Sequence, residues 1–171
     1  ADQGIRRSVF DWLADQRAEH GEAIPRSVLE GFELNGLRIP LIGPQGIWKP
    51  AACELPLSIA TVSNGPYSDT FDARSGTLHY AYRGTDPQHR DNRGLRQAMI
   101  EKVPVVYFHA VEPGRYVAAY PTFVVGDDPA HLMFTMQVDD LSASFAAQAG
   151  DYPMEDDNVV WRRAYVTRTV Q

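Results

Sequence analysis

The sequence has a single cysteine, Cys53, so no internal disulfide framework holds it, and such sparse use favours a reducing compartment. It has no apolar run of the roughly eighteen residues that a membrane-spanning helix needs, so no membrane partner is expected. The first residues lack the charged-then-apolar layout of a signal peptide and do not begin with methionine, and the expected location is the cytoplasm. No internal repeat and no low-complexity tract is visible. Ligand spacing for a metal is also missing. His79, His89, His109, His131 and Cys53 form no close pair of the kind zinc sites use. The acidic pairs Asp127-Asp128, Asp139-Asp140 and Asp156-Asp157 read as solvated turns rather than as a divalent-ion site. His89-Arg90-Asp91-Asn92 has neither the asparagine spacing nor the preceding Gly-rich loop of a kinase catalytic loop. No cofactor is expected in this chain.

Positive charge is in deficit: 16 Lys and Arg stand against 22 Asp and Glu, a formal net charge of −6. That counts against indiscriminate nucleic-acid binding, which favours basic domains. It leaves room for one basic face, because the local field matters more than the sum. Residues 83–102 hold Arg83, Arg90, Arg93, Arg96 and Lys102 against Asp86, Asp91 and Glu101. The last ten residues hold Arg162, Arg163 and Arg168 and no acid. With 171 residues and 44% apolar content, the chain suits one ordinary core, with or without a small appendage.

Periodicity gives the elements. Ile5, Val9, Trp12 and Leu13 make one apolar stripe and predict a helix over residues 4–20, ended by Gly21. A short helix is expected over 25–32, with Pro25 in its first turn. Asn35-Gly36 between two apolar stretches predicts a tight hairpin over 32–39. These pieces suggest an N-terminal helical and hairpin appendage, residues 1–40, either packed on the main body or touching a partner as a winged helix does. Residues 40–56 carry four prolines and two glycines and are expected to be a loop or boundary. Within it, Trp48 is expected as a core plug, or as support for a phosphate contact by Lys49. Strands are expected over 55–62, 77–83, 103–110, 115–125 and 131–138, with a turn at 64–66 and a helix over 91–102. In the second of these strands Leu78, Tyr80 and Tyr82 share one face. Many short strands with little helix between them predict an α+β protein built on a barrel or sandwich over 41–140. Residues 141–171 are expected to be a C-terminal segment with a helix near 142–149.

Chemistry concentrates in three neighbouring stretches: Asn64-Gly65-Pro66-Tyr67-Ser68-Asp69, Tyr80-Ala81-Tyr82-Arg83-Gly84 and Asp91-Asn92-Arg93-Gly94-Leu95. Aromatic rings with one fixed acceptor suit a flat, neutral, hydrogen-bonding ligand, and arginines beside them suit a phosphate chain. A nucleobase held in a cage with its backbone outside meets both conditions. Taken alone, strand tyrosines are as readily core residues, and an aspartate after Gly-Pro-Tyr is more often a turn cap.

In order and approximate spacing, these three stretches resemble the SRA (SET- and RING-associated) domain, a reader of 5-methylcytosine in DNA. Gly46-Ile47-Trp48-Lys49-Pro50 and Tyr82-Arg83-Gly84-Thr85-Asp86-Pro87 resemble more narrowly the N-terminal part of bacterial SRA–HNH modification-dependent restriction endonucleases. The resemblance implies a PUA-like twisted β-barrel flanked by helices. It implies that Tyr67 and Tyr82 stack on a flipped base and that Asp69 accepts from the cytosine amino group, with Asp72 as the alternative because the spacing is one residue short. Ser63, Asn64 and Gly65 then line the slot for the methyl or hydroxymethyl group. Lys49, Arg83, Arg90, Asn92, Arg93 and Arg96 would meet or support the DNA backbone. The partner implied is modified double-stranded DNA. No HNH signature lies within these residues, so this chain is expected to be a non-catalytic reader, its nuclease domain and that domain's divalent metal lying beyond Gln171. A nuclease that cuts both strands suits a homodimer formed through the full-length protein. Two other classes stay open: a PUA-like module for RNA or modified nucleosides, and a small-molecule enzyme within a β-barrel. The second would need a titratable pair in the cavity, where only Asp69 with tyrosines is seen.

Overall fold

The apolar stripe of Ile5, Val9, Trp12 and Leu13 lies on a helix, α1 (Asp2–His20), and buries Val9 and Leu13 completely. In the computed structural model, residues 2–61, 70–72 and 74–139 are described. Gly21, at φ +82°, ends α1, and its N–H returns to the Arg17 carbonyl at 2.9 Å. There follow β1 (Ala23–Pro25), α2 (Arg26–Leu29), β2 (Glu33–Leu34), β3 (Leu37–Arg38), β4 (Ile47–Trp48), β5 (Ser58–Ala60), β6 (Thr70–Asp72) and β7 (Thr77–Ala81). The remaining elements are α3 (Arg90–Glu101), β8 (Val105–Glu112), β9 (Arg115–Asp128) and β10 (Met133–Val138). The β2–β3 hairpin turns on Asn35 and Gly36, both at positive φ, as a type I′ turn requires.

The architecture is α+β. One eight-stranded sheet runs β4-β5-β8-β9-β10-β7-β6, with β1 paired to β9 outside that path. Strand β9 makes this possible by its length. One of its edges takes β8; the other takes β1 along residues 115–117 and β10 along residues 122–128. Residues 2–40 therefore add a strand to the main sheet and their side chains to its core. The sheet is mixed: β5 runs parallel to β8, and the other pairs are antiparallel.

Three short strands depart from the sequence expectation; one is β6, which pairs with β7 where no strand was expected, and the other two lie earlier in the chain. Residues 40–56, expected as a loop, contain β4, which pairs with β5. Strand β1 falls just before the second helix, where none was expected, and that helix is shortened to Arg26–Leu29. Two or three residues are too few to show a period of two, and both strands exist because a distant partner supplies their hydrogen bonds. The described part of the predicted 55–62 strand is likewise trimmed to Ser58–Ala60, since Pro56 cannot donate to a ladder.

Both faces of the central strands are covered. Along β8, Val105 and Tyr107 enter one apolar cluster while Val106 and Phe108 enter the other. Along β9, Val117 and Ala119 alternate with Ala118 and Tyr120 in the same way. This is why these strands read as unbroken apolar runs rather than as alternating ones. The outer cluster packs against α1 through Val9, Phe10 and Leu13.

The inner cluster lies within a curl of the sheet. Tyr80 of β7 donates its hydroxyl to the Ala60 carbonyl of β5 at 2.8 Å. Four strand spacings along the path separate β5 from β7, about 19 Å in a flat sheet and beyond any side chain's reach. The sheet must therefore wrap until its two ends nearly meet. Gly46 permits the closest approach, since a Cβ there would lie 2.4 Å from the Tyr80 hydroxyl. Among the described residues, β4 and β6, at the two ends of the path, are not hydrogen-bonded to each other.

Helix α1 is fastened by a buried arginine. Arg6 is 1% exposed and donates to the carbonyls of Pro104 at 2.7 Å and Leu55 at 3.1 Å, beside an ion pair with Asp2 at 3.3 Å. Asp2 in turn accepts from the N–H groups of Glu54 and Leu55. Arg6→Met fills similar space but leaves one buried and one part-buried carbonyl without this donor, at about 1–3 kcal/mol for a buried group. The expected loss is about 3 kcal/mol of unfolding free energy in urea; a loss under about 1 kcal/mol would show that the fastening does not matter.

Candidate nucleic-acid interface

The strand that carries the aromatic residues behaves as its alternation predicts. Leu78, Tyr80 and Tyr82 are buried, while His79 on the other face is exposed. Tyr82 is 3% exposed, and its ring lies 4.6 Å from that of Phe134 on β10, tilted by 35°. Its hydroxyl reaches a charged pair. It donates to Asp127 Oδ1, and Arg96 Nη2 donates to it at 3.3 Å. Arg96 Nε meets Asp127 Oδ2 at 2.6 Å, and Nη2 also donates to the Pro87 carbonyl at 3.2 Å. Burial, with the hydrogen bond to Asp127 next, pushes the Tyr82 phenol above its ordinary value. The same carboxylate holds the Arg96 guanidinium above its own.

Behind Tyr82 the chain turns onto α3, and Asn92 fixes the turn. Its side chain is fully buried, accepts from the Arg83 N–H at 2.8 Å and donates to the carbonyls of Arg83 at 3.0 Å and Asp86 at 2.9 Å. The amide is used on both its donor and acceptor sides, which only asparagine or glutamine chemistry allows. His89 caps the helix by accepting from the Asp91 N–H at 3.1 Å. Gly94 lets α3 lie against the Pro56 ring, which a Cβ would meet at 2.9 Å.

The candidate cations divide into two kinds. Arg83 is paired with Asp91 at 2.6 Å and Arg96 with Asp127. Arg90, whose side chain is 83% exposed and lies at 3.6 Å from Asp91 Oδ1 in a loose ion pair, and Arg93 project from the solvent side of α3, three residues apart and so on one face. Lys49 stands on a separate turn and donates to the Cys53 carbonyl at 2.9 Å. Trp48 supports that turn: its indole N–H donates to the Pro40 carbonyl at 2.8 Å, and its ring covers Gly43, where a Cβ would lie 2.1 Å from the indole.

Ser63, Asn64, Gly65, Tyr67 and Asp69 lie outside the described residues, as does the predicted 142–149 helix. The segment that holds them joins Thr61 at the end of β5 to Thr70 at the start of β6. Beside Thr61 the inner face is polar: its Oγ1 lies 3.3 Å from the Tyr107 hydroxyl, which lies 3.0 Å from His109 Nδ1. Asp72, the alternative base acceptor, is exposed and accepts from the Arg74 N–H at 2.9 Å, a turn-capping contact. Sequence reasoning missed Asp127 as the partner of Tyr82. It sits in an acidic pair that looks solvated, 45 residues away, and only the β9–β10–β7 pairing joins the two. Among the described residues no cluster of His, Cys, Asp and Glu could hold a metal.

No protein-family model matches this chain, and no curated protein matches it. Among solved structures it is similar to the SRA domain of SUVH5 in complex with fully methylated CG DNA, at 20% identity over 55% of this chain and 73% of that one, with a TM-score of 0.41. It is also similar to the SUVH5 SRA domain in complex with methylated CHH DNA, at 19% identity over 67% of this chain and 83% of that one, with a TM-score of 0.42.

The geometry separates the roles of two neighbours in sequence. Asn92→Ala removes one acceptor and two donors from part-buried backbone contacts and is expected to cost about 1–3 kcal/mol. Arg93→Ala, on the exposed face, is expected to stay within about 0.5 kcal/mol. Urea unfolding of both variants checks this; equal costs would show that Asn92 does not hold the turn.

Proposed function

We propose that this chain binds double-stranded DNA containing 5-methylcytosine, taking the modified base out of the duplex into an aromatic pocket walled by Tyr82 and Tyr67. The observation that carries the reading is the Asn92 clamp. It joins the end of the aromatic strand to a helix whose exposed face presents Arg90 and Arg93. A base wall and a phosphate-facing cationic surface then belong to one rigid piece, as base extrusion with backbone capture requires. The motif order of residues 64–95 supports the same reading, with Asp69 as acceptor for the cytosine amino group. With Phe134 against one face of Tyr82, a stacked base takes the other face and displaces what covers it. Further out, the proposal is that this reader targets a modification-dependent endonuclease whose HNH domain and metal lie outside these residues.

Flipping costs a few kcal/mol, and stacking returns about 1–3 kcal/mol per base. One methyl group in a fitted slot adds about 1–3 kcal/mol, so the preference for the modified base is tens-fold rather than absolute. Matched duplexes carrying cytosine, 5-methylcytosine or 5-hydroxymethylcytosine, titrated at one fixed salt concentration, test this. The methylated duplex is expected to bind tens-fold more tightly than the unmodified one, with Tyr67→Ala and Asp69→Ala abolishing the difference. Equal binding of all three duplexes, or binding of RNA in preference to any, would overturn the reading.

A further inference from the structure

Arg96 was expected at the DNA backbone, yet its guanidinium is spent elsewhere. Three of its contacts converge: Asp127 Oδ2 at 2.6 Å, the Tyr82 hydroxyl at 3.3 Å and the Pro87 carbonyl at 3.2 Å. Asp127 completes the triangle by accepting from the same hydroxyl. The side chains of Arg96 and Asp127 are 23% and 11% exposed, so the pair is largely withdrawn from water and weakly screened. Pulling Arg96 away to meet a phosphate would strand a mostly buried carboxylate, which is strongly unfavourable.

We infer that Arg96 and Asp127 are positioning residues that hold the Tyr82 ring at a fixed angle for reading the modified base, and that Arg96 makes no phosphate contact. The inference rests on the function proposed above. Rotation about χ2 leaves a tyrosine hydroxyl in place, but rotation about χ1 swings the whole ring and carries the hydroxyl with it, and packing on one neighbour at a 35° tilt leaves some of that swing open. Two hydrogen bonds at its hydroxyl, one accepted from Arg96 on α3 and one donated to Asp127 on β9, hold the hydroxyl in place and so remove the χ1 swing. The bond from Arg96 to the Pro87 carbonyl ties the same triangle to the turn leading into Arg90 and Arg93. The angle of the base wall and the position of the phosphate-facing helix are thereby set together. A phenylalanine at position 82 would keep the packing and lose the angle. Discrimination between bases differing by one methyl depends on small displacements, so this is where the loss should be seen.

The test uses the whole 171-residue chain, with modified and unmodified duplexes titrated across a salt series. Arg96→Gln, Asp127→Asn and Tyr82→Phe are compared with Arg93→Ala, and circular dichroism confirms that each is folded. Arg96→Gln and Asp127→Asn are expected to cut the methyl preference about tenfold while leaving the salt slope unchanged. Arg93→Ala should weaken both duplexes alike and reduce the slope by about 0.9. Arg96→Lys, which keeps the charge but not the fork, should fail to restore the preference. A reduced slope in Arg96→Gln, with the preference intact, would make Arg96 a phosphate contact and overturn the inference. The free protein gives a second reading through the Tyr82 phenol, followed by NMR of ¹³Cζ-labelled tyrosine. Asp127→Asn should lower its titration point and Arg96→Gln should raise it. If neither moves it, the triangle is not made in solution and the inference falls by itself. If the wild-type chain shows no methyl preference, the proposed function falls and takes the inference with it, whatever the phenol does.

Discussion

The contact between the Tyr80 hydroxyl and the Ala60 carbonyl fixes how far the sheet must curl, and the placement of the site follows from it. Without the curl, β5 and β6 would stand near opposite ends of an open sheet, and the segment between them would have to cross its whole width. With it, Thr61 and Thr70 lie near the two approaching ends of the path. Gly46 is part of the same constraint, because its missing Cβ lets the tyrosine come within reach.

What was legible in the sequence was local. The α1 stripe, the Asn35-Gly36 turn, the shared face of Leu78, Tyr80 and Tyr82, and the α3 helix all follow from spacing within about twenty residues. What was not legible depends on partners far along the chain. Strands β1 and β4 are strands only because β9 and β5 lie beside them. The parallel pairing of β5 with β8 joins segments 48 residues apart, as in Ser58 and Val106, and no local pattern encodes it. The candidate site divides the same way. Tyr82 and Asn92 stand out by motif, but that Asn92 clamps three backbone groups, or that Asp127 meets Tyr82, becomes visible only once the strands are paired.

The arginines show why counting charge near a motif overstates an electrostatic surface. Five cations in residues 83–102 look like a basic patch. Two of the arginines are bound to carboxylates at 2.6 Å, in surroundings that leave each acid's side chain only about a tenth exposed. A pair so held contributes little outward field, and what remains comes from the exposed Arg90 and Arg93 on one face of α3 and from Lys102 at its end.

This division bears on how an acidic protein could read DNA. Each phosphate contact contributes about 0.9 to the slope of affinity against salt, so two exposed arginines give a slope near 2. That is far below the value of about 10 for a protein that binds mainly through the backbone. A reader built this way gains little on arbitrary DNA, where its net charge of −6 works against it. Its affinity must then come chiefly from the pocket, through stacking and one carboxylate on one amino group. Weak backbone binding is thus compatible with the proposed function and favourable to it: the less affinity arbitrary duplex supplies, the larger the share that the modified base alone decides.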